Sequence, residues 1–342
     1  MILIFSNKED IHPTYVIKHL KAWGVDFFRF NTECLLTDYE FSWCCNNDGC
    51  DFKIRNIHNQ IELSGRQISA VWDRRPRIPQ ELLLPNENEE INKHILGEAL
   101  GFLRFLRYWM RNIYSIGSIV EDHPAASKML QLSVAKELGM HIPDTCFANR
   151  KEPVSQFATQ YSNVLLKPIS DNDVMLEDIN QAYSFYAKKV PTEALLQQPD
   201  MAFSQTVSFV QNYVDKAYEL RITVCCDDII ACKIDSQTME DDKGKIDWRQ
   251  GYEYGLKHEI VDIPEQIKEF CHQFLAKMHL NFGCFDFIVT PEGDYVFLEC
   301  NPNGQWLWIE LYTGYDISKV VAKNLAKFEI LPKNIENISI SR

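Results

Sequence analysis

The chain has 342 residues, enough for two or three domains, and its 46% hydrophobic and 12% aromatic content excludes a disordered chain. Lys and Arg number 35 against 48 Asp and Glu, a net charge of −13. That balance argues against nucleic acid or anionic membranes as partners, so a polyanionic ligand such as a nucleotide would need a locally basic site. No apolar run reaches the roughly 18–20 residues of a membrane-crossing helix. Met1 to Phe5 reads as a buried strand without a basic n-region or a cleavage site, so the expected location is cytoplasmic. The 11 cysteines are odd in number and scattered, with no CxxC. Cys44-Cys45, Cys50 and Cys225-Cys226 therefore read as reduced thiols rather than disulfides or zinc ligands.

In chain order, Ile2 to Ser6 reads as a strand, His12 to Ala22 as a helix ended by Gly24, and Val25 to Phe30 as a second strand. Residues 41–69 read as a β-meander turning at Asp48-Gly49 and Ser64-Gly65. Ile68 to Trp72 is a further strand leading into Arg74-Arg75-Pro76. Residues 87–111 carry the clearest helical pattern, with Ala99, Phe102, Leu103 and Leu106 on one face. Arg104, Arg107 and Arg111 form a basic stripe on another, which reads as a solvated face. A domain boundary is expected near 115–125, with a turn at Asp122-His123-Pro124 and a helix from Ser127 to Leu138. Val164 to Pro168 is a short buried strand that ends in a lysine, and Ser204 to Val214 tends to strand. Glu219 to Thr223 and Ile229 to Ile234 pair around Asp227-Asp228, residues 236–258 look loop-like, and Glu265 to Leu280 is an amphipathic helix. A strand pair follows, then a helix from Ser318 to Phe328 and a loose tail.

The strongest local signal lies at 283–305. Pro291-Glu292-Gly293-Asp294 is a four-residue hairpin loop between two apolar strands. If Thr290 pairs with Tyr295, counting back along both strands sets Asp286 across from Glu299. Alternation then places Asn301 on the face of Glu299, beside Cys284. Two carboxylates facing each other among Phe285, Phe287, Phe297 and Leu298 repel. A shared proton or a divalent cation offsets that cost, and the oxygen donors of Asp286, Glu299 and Asn301 suit Mg²⁺. Such a site shares phosphates with basic side chains, and the chain offers Lys128, Lys167, Arg221 and Lys233. A lysine closing an apolar strand, as Lys167 does, is desolvated unless it meets an anion. Between them, Gln211, Asn212, Tyr213 and Val214 form an extended connector whose backbone suits adenine, with Asp215 toward the ribose. Neither GxxxxGK[ST] nor GxGxxG occurs, so a glycine cradle for phosphate is not expected.

In this order, with Lys128 first, Lys167 second, a hinge at 209–214, Glu219-Leu220-Arg221, Asp286, and Glu299-Cys300-Asn301, the residues resemble the ATP-grasp superfamily. Val71-Trp72-Asp73-Arg74-Arg75-Pro76, Ser127-Lys128-Met129-Leu130-Gln131-Leu132, Asp247-Trp248-Arg249 and Glu299-Cys300-Asn301-Pro302-Asn303-Gly304-Gln305-Trp306 resemble one branch of it, the graspetide synthetases, which include the microviridin ligases. The resemblance spans residues 1–328 and departs at Asn212, where many relatives carry an acid, and at Asp73, where an aromatic is common.

The resemblance implies an α/β (α+β) ATP-grasp fold: a pre-ATP-grasp domain at 1–120, a central domain at 121–212, a C-terminal domain at 213–330 and a tail at 331–342. ATP would lie between the central and C-terminal domains. It implies a macrocyclase of a ribosomal precursor peptide, working through an acyl phosphate on Asp or Glu that Ser, Thr or Lys attacks to close an ω-ester or ω-amide ring. The implied cofactors are ATP and Mg²⁺; the implied partners are the precursor, with its leader, and a second copy in a homodimer. Arg221 and Lys233 are then expected in catalysis, and Lys128, Lys167 and residues 211–215 at ATP. Asp286, Glu299 and Asn301 are expected at the metal, and Arg249 and Arg74 at the substrate, Arg74 having a structural alternative at the interdomain face. Trp306 and Trp308 are candidates for the acceptor wall. A ligase of free amino acids or of glutamate on a protein tail shares the same nucleotide site, and a non-catalytic nucleotide-binding scaffold is the third reading.

Overall fold

The computed structural model describes residues 1–47, 49–77, 88–117, 124–169, 173–176, 181–239, 242–250 and 255–329. The expected turn at Asp122-His123, residue 87 at the start of the long helix, and the tail at 331–342 lie outside the described residues.

The first layer is a parallel sheet in the order Phe27–Asn31, Ile2–Ser6, Ala70–Asp73, Ser115–Gly117. All five residues of Ile2–Ser6 are buried, as a central parallel strand covered on both faces requires. Helices His12–Ala22 and Ile317–Ala326 pack on one face, and the long helix Glu89–Trp109 lies over the other. The C-terminal helix thus shares a core with the N-terminal sheet: Ile2, Ile4 and Val16 sit in one cluster with Phe282, Trp306 and Val320. The meander forms from Tyr39–Asn46, Gly49–Asn56 and Glu62–Ser64. Two expectations fail here. Cys45 and Cys50 face each other across the first hairpin and are joined as a disulfide, not reduced. Arg107 does not lie on a solvated face; it reaches Asp73 at 3.4 Å and stacks over Phe5, because the helix lies close against the sheet.

The central layer is an antiparallel sheet, Lys188–Pro191, Asn163–Lys167, Ser208–Asn212, Thr145–Ala148, with a separate ribbon of Asp173–Leu176 and Gln181–Ser184. The third is a five-stranded antiparallel sheet, His258–Val261, Asp228–Ile234, Tyr218–Cys225, Phe282–Val289, Tyr295–Asn301. Helix Glu265–Lys277 buries Ile267, Phe270, Cys271, Phe274 and Leu275, a stripe at three- and four-residue spacing, against Phe285, Phe287 and Phe297. Helix Lys128–Glu137 packs beside it. Residues 236–258 are not a plain loop. They carry a short helix, Asp242–Ile246, and supply Met239, Trp248 and Leu256 to a cluster with Ile234 and Trp308. A further helix, Leu307–Thr313, follows the last strand and was not anticipated. Among the described residues no helix is long and apolar enough to cross a membrane.

Candidate active site

The hairpin at 282–301 brings the two acids together by a route the sequence reading missed. Val289, not Thr290, pairs with Tyr295, one residue out of the expected register. A shift between Asp286 and Phe287 then restores the count, so that Asp286 does face Glu299 and Cys284 faces Asn301. Asn301 Nδ2 donates to Asp286 Oδ2 at 3.2 Å and lies 3.4 Å from Glu299 Oε1. After Asn301 the chain folds back against its own strand. A Cβ on Gly304 would meet Cys284 Cβ at 2.4 Å, so only glycine permits that return.

Neighbouring strands and helices bring the cations. Arg221 lies opposite Asp286 on the adjoining strand, and its Nη1 donates to Oδ2 at 3.2 Å. Lys128 opens its helix, capped by Ser127, and Nζ donates to Glu299 Oε2 at 2.7 Å. Buried Gln131, one turn along, donates to Cys300 O at 2.8 Å and accepts from Cys300 N at 2.8 Å. This amide clamp fixes the helix of Lys128 to the strand of Glu299 and Asn301. The electrostatics of the two acids diverge. Burial pushes Asp286 up to about 6, Arg221 opposing and Glu299 adding. Burial also acts on Glu299, but Lys128 and Lys167 outweigh it and hold that carboxyl well below the usual range.

These residues line one cavity of about 640 Å³ between the central and C-terminal sheets. Lys167, Gln211, Asn212, Tyr213 and Val214 form its central wall. Burial lowers the Lys167 ammonium, whose Nζ sits 5.5 Å from the Phe209 ring centre. Arg249 lines the cavity while gripping Asp247 through two nitrogens at 2.8 and 2.6 Å. Trp248 lies beneath Arg221, and Trp308 also lines the cavity.

Four expected residues are not brought there. Lys233 points to the other face of its sheet: Arg221 pairs with Cys232, so the next residue faces away, over Tyr218 and toward Asp235. Arg74 does not line the cavity. It is fully buried, pairs with Asp10 at 2.9 Å, and donates to Asn303 O and Gly304 O at 2.7 and 3.0 Å. Asp215 is exposed outside the cavity. Trp306 is core, edge-on to His12. The sequence reading gave no role to Arg75, Lys216, Glu219 or Gln131. Lys216 and Glu219 form a buried pair in the cavity, with burial pushing Glu219 up to about 7 against Lys216.

Among the described residues no three His, Cys, Asp or Glu side chains gather into a metal cluster; the converging set here is two carboxylates and an amide. Buried Asp286 Oδ1 has no hydrogen-bond partner. An orphaned carboxylate oxygen beside a second carboxylate and an amide fits a hard divalent cation.

A nucleotide-sized cavity between two antiparallel sheets, over a parallel N-terminal domain, is the ATP-grasp architecture. Residues 1–117 match the family model described as the MvdD pre-ATP grasp domain. The N-terminal domain is therefore of the MvdD pre-ATP-grasp type. It is similar to macrocyclase MdnC from Microcystis aeruginosa MRC, solved with precursor peptide MdnA: 27% identity, TM-score 0.81, covering 96% of this chain and 100% of that one. It is also similar to a RiPP-associated ATP-grasp ligase from Chryseobacterium gregarium, solved with ADP and a leader and core peptide: 26% identity, TM-score 0.84, 96% of each chain. ATP-grasp ligase PsnB, solved with a phosphomimetic minimal precursor, Mg and ADP, shares the fold at 17% identity and TM-score 0.72, over 96% of this chain and 98% of that one. No curated protein matches the chain.

Proposed function

We propose that the chain is an ATP-dependent ligase that closes rings between side chains of a ribosomally made precursor peptide. The observation that carries this is the convergence of Asp286, Glu299 and Asn301 with Lys128 and Arg221 in one cavity walled by the 211–214 connector. A carboxylate is a poor electrophile; transfer of the γ-phosphoryl group of ATP to it gives an acyl phosphate and ADP. A Ser or Thr hydroxyl or a Lys amine then attacks the acyl carbon, phosphate leaves, and an ω-ester or ω-amide remains. The chemistry crowds negative charge, which Lys128, Lys167 and Arg221 offset in a partly dry site. Asp286, Glu299 and Asn301 would hold Mg²⁺, which neutralises phosphate charge when bound. Arg221, beside Asp286, is assigned to the transferring phosphoryl group, and Arg249 to the substrate carboxylate or phosphate. Asp247 holds the Arg249 fork in place.

The domain limits we propose are 1–120, 121–212 and 213–330, and the reading includes a cytoplasmic setting and a homodimer. The test is co-expression with acidic, Ser/Thr/Lys-containing candidate precursors, read by ADP formation and by mass. Each ring removes one water. ADP formed only with free amino acids would move the assignment to an amino-acid ligase, and no ADP above background with any acidic peptide would leave a nucleotide-binding scaffold.

A further inference from the structure

Charge pairing inside the cavity is uneven. Arg221 pairs with Asp286, Lys128 with Glu299, Lys216 with Glu219 and Arg249 with Asp247. Two other cations line the same space, Lys167 and Arg75, and among the described residues neither side chain has a carboxylate partner. They stand on different walls. Lys167 ends a strand of the central sheet beside the 211–214 connector. Arg75 follows the Ala70–Asp73 strand of the N-terminal sheet.

The position of Arg75 is built by its surroundings. Arg74 N donates to Phe5 O at 2.8 Å, and the Arg74 guanidinium is buried against Asp10 and the carbonyls of Asn303 and Gly304. Asn7 Nδ2 donates to Arg75 O at 2.6 Å. Between these anchors Arg75 adopts φ +50°, a left-handed conformation that a long side chain rarely takes. Strain of this kind persists only where neighbours over-determine it, and it concentrates at functional sites. The kink sends two adjacent arginines apart: Arg74 inward as a strut, Arg75 to the exposed cavity mouth, where Asn303, Gly304 and Gln305 also line the wall.

We propose that Arg75 forms a carboxylate subsite on the N-terminal wall, which receives an Asp or Glu side chain of the peptide substrate. The inference rests on the peptide-ligase reading and adds a specificity residue to it. A guanidinium with no carboxylate partner among the described residues keeps its planar donor fork for an incoming carboxylate, which it matches with two parallel hydrogen bonds. Lys167, by contrast, stands where the nucleotide phosphates would lie, so the two unpaired cations serve two different anions.

The test uses the full chain with MgADP and a short fluorescein-labelled peptide carrying glutamate and threonine, beside the same peptide with glutamine. Wild type binds the glutamate peptide more tightly than the glutamine one. Arg75→Ala weakens the glutamate peptide about tenfold and removes the preference, Arg75→Lys restores part of it, and MgADP affinity stays at the wild-type value in both. Arg111→Ala, an exposed arginine of the same domain, serves as the charge control and leaves peptide affinity unchanged. The subsite is rejected by any of three results: no preference for glutamate in wild type, Arg75→Ala affinity within twofold of wild type, or a loss of MgADP affinity in Arg75→Ala in place of the peptide effect. ADP formation with precursor peptides judges the ligase reading separately, so failure of one is not mistaken for failure of the other.

Discussion

The two walls of the cavity hold their functional groups by different means. On the C-terminal wall the groups are side chains fixed by strand register: Asp286 beside Arg221 on one strand pair and Glu299 on the next. On the central wall, residues 211–214 offer a strand backbone that ends at Asn212, and Lys167 adds a charged side chain from the neighbouring strand. A wall of registered side chains tolerates no change of residue type, because each substitution leaves a buried charge without its partner. A wall of backbone groups should tolerate many changes, Asn212 among them.

This contrast orders the expected effects. Asp286→Asn or Glu299→Gln should abolish precursor-dependent ADP formation while near-native circular dichroism persists; turnover near wild type in either would remove the acids from the chemistry. Arg221→Met should lower kcat by about 10²–10³, and a change confined to KM would give Arg221 a binding role only. Gln131→Leu should strand both backbone groups of Cys300, costing about 1–3 kcal/mol in urea unfolding, and should lower kcat because Lys128 and Glu299 lose their common anchor. An unchanged kcat would make the clamp structural alone. On the other wall, Lys167→Met should raise the KM for ATP about tenfold with a smaller change in kcat, while Asn212→Ala should stay within about twofold. A large Asn212 effect would erase the distinction between the walls.

The smallest expected effect lies outside both walls. His12 Nδ1 bonds Asp10 at 2.7 Å, and Nε2 accepts from the N–H groups of Trp306 and Leu307 at 3.4 and 3.3 Å, so the folded state wants it neutral. Burial lowers its pKa, Asp10 opposing and Arg74 adding to the fall. Arg75 lowers it further. The unfolded chain therefore binds more protons near and below the ordinary histidine value of about 6.5. Stability from this group is present above that value and is lost as pH falls through it. Melting temperature against pH should show the loss, and His12→Gln should flatten it.

The sequence was most legible where period and turn chemistry agreed. Helix His12–Ala22 matches its expected ends, and the facing of Asp286 and Glu299 agrees with the count from the 291–294 loop, although only because the shift between Asp286 and Phe287 cancels a one-residue offset at the loop. Lys233 was misplaced despite a usable signal. A two-residue turn at either Cys226-Asp227 or Asp227-Asp228 gives Arg221 and Lys233 opposite faces, so alternation alone separates them. Arg74 and Arg75 were not separable, because the positive φ between them arises from Asn7, Phe5 and the 303–304 segment, all distant in sequence. The Cys45–Cys50 disulfide depended on the pairing of a hairpin, not on a recognisable cysteine spacing.

The most direct test is a Mn²⁺ anomalous map of the ADP-bound crystal. The account predicts one peak shared by Asp286, Glu299 and Asn301, against the nucleotide phosphates. Manganese bound elsewhere in the cavity, with the two carboxylates turned apart, would contradict it.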